Sequence, residues 1–346
     1  MTTSWDAAEE VLCVRLDTLG DVLMTGPAMR ALRESRPGRR ITLLTSPAGA
    51  AVAELMPEVD DVIVYEAPWM KGHDPGRDAA ILDTLRARAF DAAAVFTVFD
   101  QSPLPAALLC HQAGVPLCLA HCREKPYALL TDWVPEAERE HPTRHEVRRQ
   151  LDLVAAVGAS TLDERLALEL PPAARERVAP LLPDSAAWAV VHPGGTAPSR
   201  RYPVELWAQV CEVLAHEHGL ELIVTGDEAD RELAEALPGA RSLAGELSLA
   251  ELAALLAEAP VLLAGNTGPV HLAAAVGTPV VDLYALTNPQ HTPWMVDSRV
   301  LSHDVPCRWC YGSVCRERHH LCLRGVSPER VVEAALALSP AVSSPP

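Results

Sequence analysis

The chain has 346 residues, of which 49% are hydrophobic and 22% charged, and its formal net charge at pH 7 is −17. This length suits two domains of about 150 residues each better than one compact unit. The negative charge argues against nucleic acid or an anionic membrane as the main partner, because both would repel the protein beyond short range. The start of the chain lacks a signal-peptide pattern, and no apolar run approaches the roughly 18 residues of a membrane span. We therefore predict a cytoplasmic protein with at most peripheral membrane contact.

Short apolar runs alternate with amphipathic stretches in the first half. Residues 11–16 form an apolar run, 17–20 a turn and 21–34 an amphipathic stretch, and further buried strands are predicted at 41–45, 61–65 and 92–99. This alternation is typical of a doubly wound parallel sheet, so the first half is predicted to be α/β.

The second half repeats this rhythm after a linker interrupted by prolines at 171, 172, 180 and 183. Strands are predicted at 187–192, 221–225, 261–264 and 279–284, and helices at 204–218, 228–236, 249–258 and 270–276, with a last helix capped by Ser327 and started by Pro328. The predicted fold is α/β with two Rossmann-like domains, at 1–180 and 181–325. A terminal helix and a disordered tail are expected at 326–346.

The turn after the first strand holds the first residue of chemical interest. In open α/β sheets, ligands bind at the carboxyl ends of strands, where helix N-termini present N–H groups to anions. Asp21 follows Leu19 and Gly20 at the start of the first helix, where the glycine permits close approach of a ligand. Its carboxylate is either an ordinary acid at a helix start or a catalytic group.

Three turns of the second half could together hold a diphosphate. Each has a plainer interpretation, namely an ordinary glycine turn, a solvated basic loop or a helix cap. The turn at 192–196 supplies a glycine cradle, and the arginines at 200 and 201 supply guanidinium groups that pair with phosphate. Glu228 follows a strand where an acid can accept hydrogen bonds from ribose. Asn266, Thr267 and Gly268 form a small polar turn, with His271 in the first turn of the next helix.

Several motifs are missing from the sequence. It has no Gly-x4-Gly-Lys-Ser/Thr loop, no Gly-x-Gly-x-x-Gly, no His-Glu-x-x-His and no Asp-x-Asp pair. ATPases, dehydrogenases, zinc proteases and metal-dependent sugar transferases therefore lose support, and we predict no catalytic metal.

Taken in chain order, these motifs resemble those of the ADP-heptose:lipopolysaccharide heptosyltransferases, a glycosyltransferase family with the GT-B fold. The resemblance runs from Val11 to about Val332 and lies in residues 15–30, 145–153, 192–195, 199–203 and 266–273 and in the cysteine-rich stretch 307–322. It implies an N-terminal acceptor-binding domain and a C-terminal nucleotide-sugar-binding domain that face a central cleft.

The resemblance also implies roles for single residues. Asp21 would be the general base of an inverting, metal-independent transfer of a heptose or related sugar, with ADP-heptose as the expected donor and no other cofactor. Arg200 stands where the family has a lysine on the donor phosphates, and Glu228 at the acid that holds the ribose. The implied donor-binding residues are Thr18, Gly20, Gly194, Gly195, Thr196, Arg200, Glu228, Asn266, Thr267, Gly268 and His271. The acceptor is either a lipopolysaccharide-type core or a small natural-product intermediate.

The chain departs from the family's pattern at two positions. The family usually has aspartate where this chain has Asn266, and a serine-like hydroxyl where it has Asp17. Asp17 would either raise the pKa of Asp21 by like-charge repulsion or contact a cationic acceptor. Two other functions fit the same scaffold, a sugar-nucleotide epimerase or hydrolase and a non-catalytic nucleotide-sugar-binding module.

Two further groups of residues are not expected to be catalytic. Cys307, Cys310, Cys315 and Cys322 enclose His319 and His320 and suit a structural zinc site, a disulfide or redox pairing, or unliganded packing. His145 and Arg148 either face the cleft or form a helix-surface pair, and the surface pair is the favoured interpretation.

Overall fold

The computed structural model describes residues 4–70, 74–136 and 144–339. The chain divides into two compact units, Met1–Glu169 and Leu170–Pro346. Residues 170–180, which we expected to end the first domain, belong to the second unit, because the helix Pro172–Val178 packs on the helix Leu249–Glu258. The predicted tail beyond residue 339 lies outside the described residues.

The first unit is built around a six-stranded parallel sheet with the order β3-β2-β1-β4-β5-β6. Its elements are β1 (Glu10–Arg15), α1 (Leu19–Glu34), β2 (Arg40–Thr45), α2 (Pro47–Ala53), β3 (Asp61–Val64), α3 (Pro75–Arg88), β4 (Ala92–Val95), α4 (Leu104–Gln112), β5 (Leu117–Cys122), β6 (Asp132–Pro135) and α5 (Glu146–Ala155).

The second unit repeats that topology with the order β12-β11-β10-β7-β8-β9. Its elements are α6 (Pro172–Val178), β7 (Trp188–His192), α7 (Val204–Glu212), β8 (Glu221–Val224), α8 (Arg231–Glu235), β9 (Ala240–Ser242), α9 (Leu249–Glu258), β10 (Leu262–Gly265), α10 (Gly268–Val276), β11 (Val280–Leu283), β12 (Ser298–Leu301), α11 (Leu321–Arg324) and α12 (Pro328–Leu338).

The central strands are mostly apolar and are buried on both faces. All four residues of β4, of β10 and of β11 are buried, as expected for parallel strands that helices cover on both faces. Each predicted central strand is present with ends that differ by a few residues. The helix expected at 228–236 is instead a 3₁₀ turn, Glu228–Asp230, followed by α8, and Asp227 caps that turn.

In each unit the strand order reverses at one place, between β1 and β4 in the first and between β7 and β10 in the second. The carboxyl ends of strands at such a switch point form the usual ligand crevice of an open α/β sheet. The turns after β1, β7 and β10 are those in which sequence motifs predicted functional residues. No helix within the described parts of the chain is long and apolar enough to cross a membrane.

Candidate active site

Asp21 lies in the first turn of α1, directly after β1. Thr18 donates two hydrogen bonds to its Oδ2 atom, from the backbone N–H at 3.1 Å and from the side-chain hydroxyl at 2.6 Å. The carboxylate therefore closes the start of the helix, as its plainer interpretation requires. The residue keeps 8% of its surface exposed, so the carboxylate can be both a helix cap and a group that a ligand reaches.

Arg15, the last residue of β1, is the centre of a buried ion-pair network. Its Nη2 atom lies 3.2 Å from Asp21 Oδ1, and its Nη1 atom lies 3.0 Å from Glu146 Oε1. Its Nε atom lies 2.9 Å from Asp17 Oδ2, an ion-pair contact without hydrogen-bond alignment. The guanidinium is fully buried, and a buried charge of this kind needs such partners.

Helix α5 completes this network with three buried polar residues, Glu146, Arg149 and Gln150. Gln150 Nε2 donates to Glu146 Oε1 at 2.6 Å, and Arg149 holds Glu136 through two contacts of 2.5 and 2.8 Å. Both Arg149 and Gln150 also donate to the backbone carbonyl of Thr97, which follows β4. The end of β4 is thereby tied to α5.

Sequence analysis did not single out Arg15, Glu146 or Arg149 as site residues. A detectable signal was present at Arg15, because an arginine inside an apolar strand rarely stands without a carboxylate partner. The other partner, Glu146, is 131 positions away, and no local pattern connects the two. His145 and Arg148 lie outside the network: His145 caps α5, and Arg148 pairs with Glu164.

Asp17 is held between the guanidinium of Arg15 and the side-chain amide of Gln101, which donates to its Oδ1 atom at 2.6 Å. Burial raises the pKa of Asp17 to about 6, and the nearby charge of Asp21 adds to that effect, while Arg15 opposes it. The carboxylate of Asp17 is therefore protonated more readily than that of a solvent-exposed aspartate.

The glycine turn after β7 is closely packed. A Cβ atom on Gly194 would lie 2.0 Å from Asp230 Oδ2, and one on Gly195 would lie 2.9 Å from Thr267 Cγ2, so a larger residue at either position would displace a neighbouring side chain or the turn. Arg201 Nε donates to the carbonyl of Gly195 at 2.6 Å, and the neighbouring Thr196 is exposed. The backbone of this turn is therefore fixed and open on one side.

The turn after β10 lies against the same cradle. Asn266 is buried, and its Oδ1 atom accepts a hydrogen bond from the N–H of Ala285 at 3.1 Å, so its amide has a structural task. Thr267 occupies the N-cap position of α10, with its hydroxyl donating to Gly265. Gly268 then starts the helix, which presents its first N–H groups.

Arg200, His271 and His192 are basic residues in and around these turns. Arg200 Nη1 lies 3.5 Å from the carbonyl of Asn266, and a Cβ on Gly265 would lie 2.7 Å from the carbonyl of Arg200, so the two turns pack directly together. His271 is buried in the first turn of α10. His192 is also buried, and burial lowers its pKa to about 4, which keeps its ring neutral beside the hydroxyl of Thr225.

Glu228 does not join this cluster in the structure. Its carboxylate is exposed and accepts hydrogen bonds from Arg231 at 2.7 and 3.0 Å. Its predicted contact with a ribose stays a prediction.

Asp282, in the middle of β11, is a buried acid that sequence analysis did not notice. It is fully buried, and neither carboxylate oxygen has a hydrogen-bond partner among the described residues. Burial raises its pKa well above the usual value for aspartate, and the charge of Arg200 opposes this rise. The signal was an acid within the apolar run Val280–Leu283.

The four clustered cysteines are free, partly buried thiols. Cys307 Sγ lies 3.7 Å from His319 Nε2, and Cys307 and Cys322 pack against Tyr284, Leu286 and Val305. Within the described ranges, no three His, Cys, Asp or Glu side chains are grouped so that they could hold a metal ion. Cys307 and Cys322 therefore contribute to a small apolar cluster, and the zinc and redox roles expected for the four cysteines stay predictions.

Known proteins similar to this chain carry the same architecture. The chain is 27% identical to lipopolysaccharide heptosyltransferase 1 of Pseudomonas aeruginosa over 95% of its own length and 98% of that protein. Its fold matches a glycosyltransferase family 9 structure from Veillonella parvula with a TM-score of 0.79 at 21% identity, covering 99% of both chains. It matches the structure of Escherichia coli ADP-heptose LPS heptosyltransferase II with a TM-score of 0.75 at 24% identity, covering 97% of this chain and all of that one.

These matches confirm the fold class expected from the sequence, two Rossmann-like α/β units of the GT-B kind. The sequence model of glycosyltransferase family 9 (heptosyltransferase) matches residues 79–321, well over half of the chain. With acids after β1 and phosphate-compatible turns after β7 and β10, the chain belongs to glycosyltransferase family 9, the heptosyltransferase family.

Proposed function

We propose that the protein transfers a heptose or related sugar from an ADP-sugar to an acceptor hydroxyl, with inversion and with Asp21 as the general base. The observation that carries this proposal is the carboxylate of Asp21, which Thr18 and Arg15 orient at the switch point of the first sheet. A base must be fixed in direction yet reachable, and this carboxylate meets both conditions.

The proposed reaction is a single displacement. Asp21 takes the proton of the acceptor hydroxyl while the hydroxyl oxygen bonds to the anomeric carbon. The bond between that carbon and the phosphate oxygen breaks, and ADP leaves with the electron pair. Attack from the face opposite the leaving group inverts the anomeric configuration.

The turns of the second unit are suited to the charge that develops on the leaving diphosphate. The backbone of Gly194 and Gly195, the N-terminus of α10 and the guanidinium of Arg200 provide N–H donors and positive charge. We propose that these groups, with Thr196, Thr267 and His271, bind the donor and that no metal ion is needed. The Escherichia coli neighbour named for ADP-heptose supports ADP-heptose as the first donor to test.

Replacing Asp21 with asparagine tests this proposal, because the side chain keeps its shape but loses its basicity. We expect Asp21→Asn to lower kcat by a factor of about 10² to 10⁴, the usual contribution of a general base. The rate of ADP release from ADP-heptose in the presence of a sugar acceptor measures this effect. Circular dichroism establishes that the variant is folded.

Asp74→Asn is a matched control, because Asp74 also caps a helix, α3, in the same unit, far along the chain from the site. It should keep wild-type turnover. Wild-type turnover by a folded Asp21→Asn variant would contradict the proposal. Acceptor-independent release of free sugar or of an epimer would favour a hydrolase or epimerase instead.

A further inference from the structure

A small cavity opens beside Asp17, where β1 and β4 end. Its volume is about 250 Å³. This is near the lower end of ligand sites, which run from roughly 300 to 1,000 Å³, so it has room for about one sugar-sized ring. Its walls combine apolar and polar side chains: Val14, Leu16, Asp17, Trp69, Met70, Val95, Phe96, Thr97, Gln101, Ser102, Pro105 and Ala106.

One wall of the cavity is an aromatic platform. Trp69 is 37% exposed, and its ring meets the ring of Tyr65 edge-on, with centroids 5.7 Å apart. Tyr65 is itself fixed, because its hydroxyl donates to Asp78 at 2.8 Å. A partly exposed indole held in this way suits the flat face of a ring-shaped ligand.

Asp17 is the single ionisable residue among the described residues that line the cavity. Thr97, Gln101 and Ser102 add neutral polar side chains to the lining. Among the described lining residues, an anionic ligand would meet a carboxylate and no cation, whereas a cationic ligand would meet an acid and hydrogen-bonding groups.

Among the described residues, the ion pairs beneath the cavity join four carboxylates to two guanidinium groups: Asp17, Asp21, Glu136 and Glu146 with Arg15 and Arg149. The guanidinium of Arg15 is shared by three of these acids, including Asp17 in the cavity wall. A cation placed in the cavity would add a second positive charge beside Asp17 in a partly desolvated position, where Coulomb attraction is strong.

We propose that this cavity is the acceptor subsite and that it takes a sugar-sized ring bearing a protonated amine, with the carboxylate of Asp17 contacting the ammonium group. This inference rests on the proposed function. Asp17 and Asp21 contact different nitrogens of the same guanidinium, Nε and Nη2 of Arg15. Asp21 does not line the cavity itself, but its carboxylate shares the guanidinium of Arg15 with Asp17, so a ring held through its amine at Asp17 would lie close to the proposed base.

Binding of matched rings tests the inference without requiring turnover. The probes are glucosamine, 6-amino-6-deoxyglucose, glucose, N-acetylglucosamine and glucuronate, measured by calorimetry on the full chain in the presence of ADP. We expect at least one amine to bind tenfold or more tighter than glucose and N-acetylglucosamine, and glucuronate to bind more weakly than glucose. Failure of both amines to bind, or tighter binding of glucuronate, overturns the inference.

Two variants place the effect at Asp17. In Asp17→Asn, the ratio of amine affinity to glucose affinity should fall toward one. In Gln101→Lys, the new ammonium should pair with Asp17 from within the cavity wall and exclude the amine, which lowers that ratio independently. An unchanged ratio in both folded variants overturns the assignment.

The same measurements distinguish this inference from the proposed function. If the protein transfers sugar in an Asp21-dependent way but prefers neutral or anionic rings, the proposed function stands and the acceptor assignment fails. If Asp21→Asn transfers normally while the amines bind through Asp17, the subsite stands and the base assignment fails.

Discussion

At the scale of single residues, the ion pairs after β1 depend on one cation. The fully buried guanidinium of Arg15 faces three carboxylates, those of Asp17, Asp21 and Glu146. Glu146 also lies 3.5 Å from a second guanidinium, that of Arg149. Loss of the guanidinium therefore affects more than one pair.

Arg15→Met is predicted to destabilise the protein strongly, because it leaves buried carboxylates without their counter-charge. We expect the free energy of unfolding to fall by about 3 to 5 kcal/mol, the usual cost of removing one partner from a buried pair. Urea denaturation measures the change. Arg165→Met, which removes an exposed pair with Asp163, should leave the urea midpoint almost unchanged. Equal midpoints for the two variants would show that the network contributes little.

Asp282 predicts a dependence of stability on pH. Its pKa is raised in the folded protein, so the folded state retains a proton that the unfolded chain releases above about pH 4. The free energy of unfolding should then fall as pH rises from about 4 toward the folded pKa. Asp282→Asn removes this contribution and should flatten the decline, as measured by urea denaturation across that range.

Asp163→Asn provides the contrast for this experiment. The pKa of Asp163 is lowered to about 2, mainly by hydrogen bonds from Arg165, so its contribution is lost only as pH falls through that value. Above about pH 5 its variant should follow the wild-type slope. A wild-type slope for Asp282→Asn as well would mean that the buried carboxylate is not the cause.

At the scale of elements, the turns of the second unit pack closely against one another at three glycines. Gly194 lies against Asp230, Gly195 against Thr267, and Gly265 against the carbonyl of Arg200. Each close approach is possible because no Cβ intervenes. The three turns therefore form one packed surface rather than three independent loops.

Gly194→Ala is predicted to impair donor binding. The added Cβ would lie 2.0 Å from Asp230 Oδ2, so either Asp230 or the turn must move. Because a ligand stabilises the folded state by mass action, we expect ADP to raise the Tm of the variant less than that of the wild type. Gly76→Ala, at the exposed start of α3, should retain the full response to ADP. A full response from Gly194→Ala would contradict the assignment of this turn.

The sequence predicted the strands on both sides of each switch point, but it did not predict the inner strand β5 or the edge strand β6. Strands β1, β4, β7 and β10 are mostly apolar and were all expected. The edge strands β9 and β12 were not expected, because they are three and four residues long, half-exposed and interrupted by polar residues. A short mixed run of this kind has no periodicity that distinguishes it from a loop.

The residues of the candidate site also differ in whether the sequence predicts them. Asp21 and the turns after β7 and β10 could be found because each directly follows an apolar strand. Glu146 and Arg149 could not, since their roles depend on a helix that packs beside β1 and β4 from far along the chain. Glu228 differs from both groups. Its position after a strand predicted a contact with a ribose, but its side chain pairs with Arg231 in the structure.

At the scale of the whole molecule, the two units have the same strand order without a recognisable sequence repeat. The alternation of strands and helices in each half favours a parallel sheet, but it does not by itself determine the order of the strands. The candidate site residues differ between the units: the first has buried acids beside Arg15, and the second has glycine turns beside the guanidinium of Arg200.

The hydrogen bonds that fix the second unit's turns also affect the entropy that would be lost when a donor binds. The amide of Asn266 holds one turn to Ala285, and Arg201 donates to Gly195 in another, so hydrogen bonds within the protein fix both turns. The cost of ordering these loops is thus met when the chain folds, and little loop entropy remains to be lost when a nucleotide arrives. Mutations that loosen the turns would then weaken donor affinity through entropy, even where every group that contacts the donor is retained.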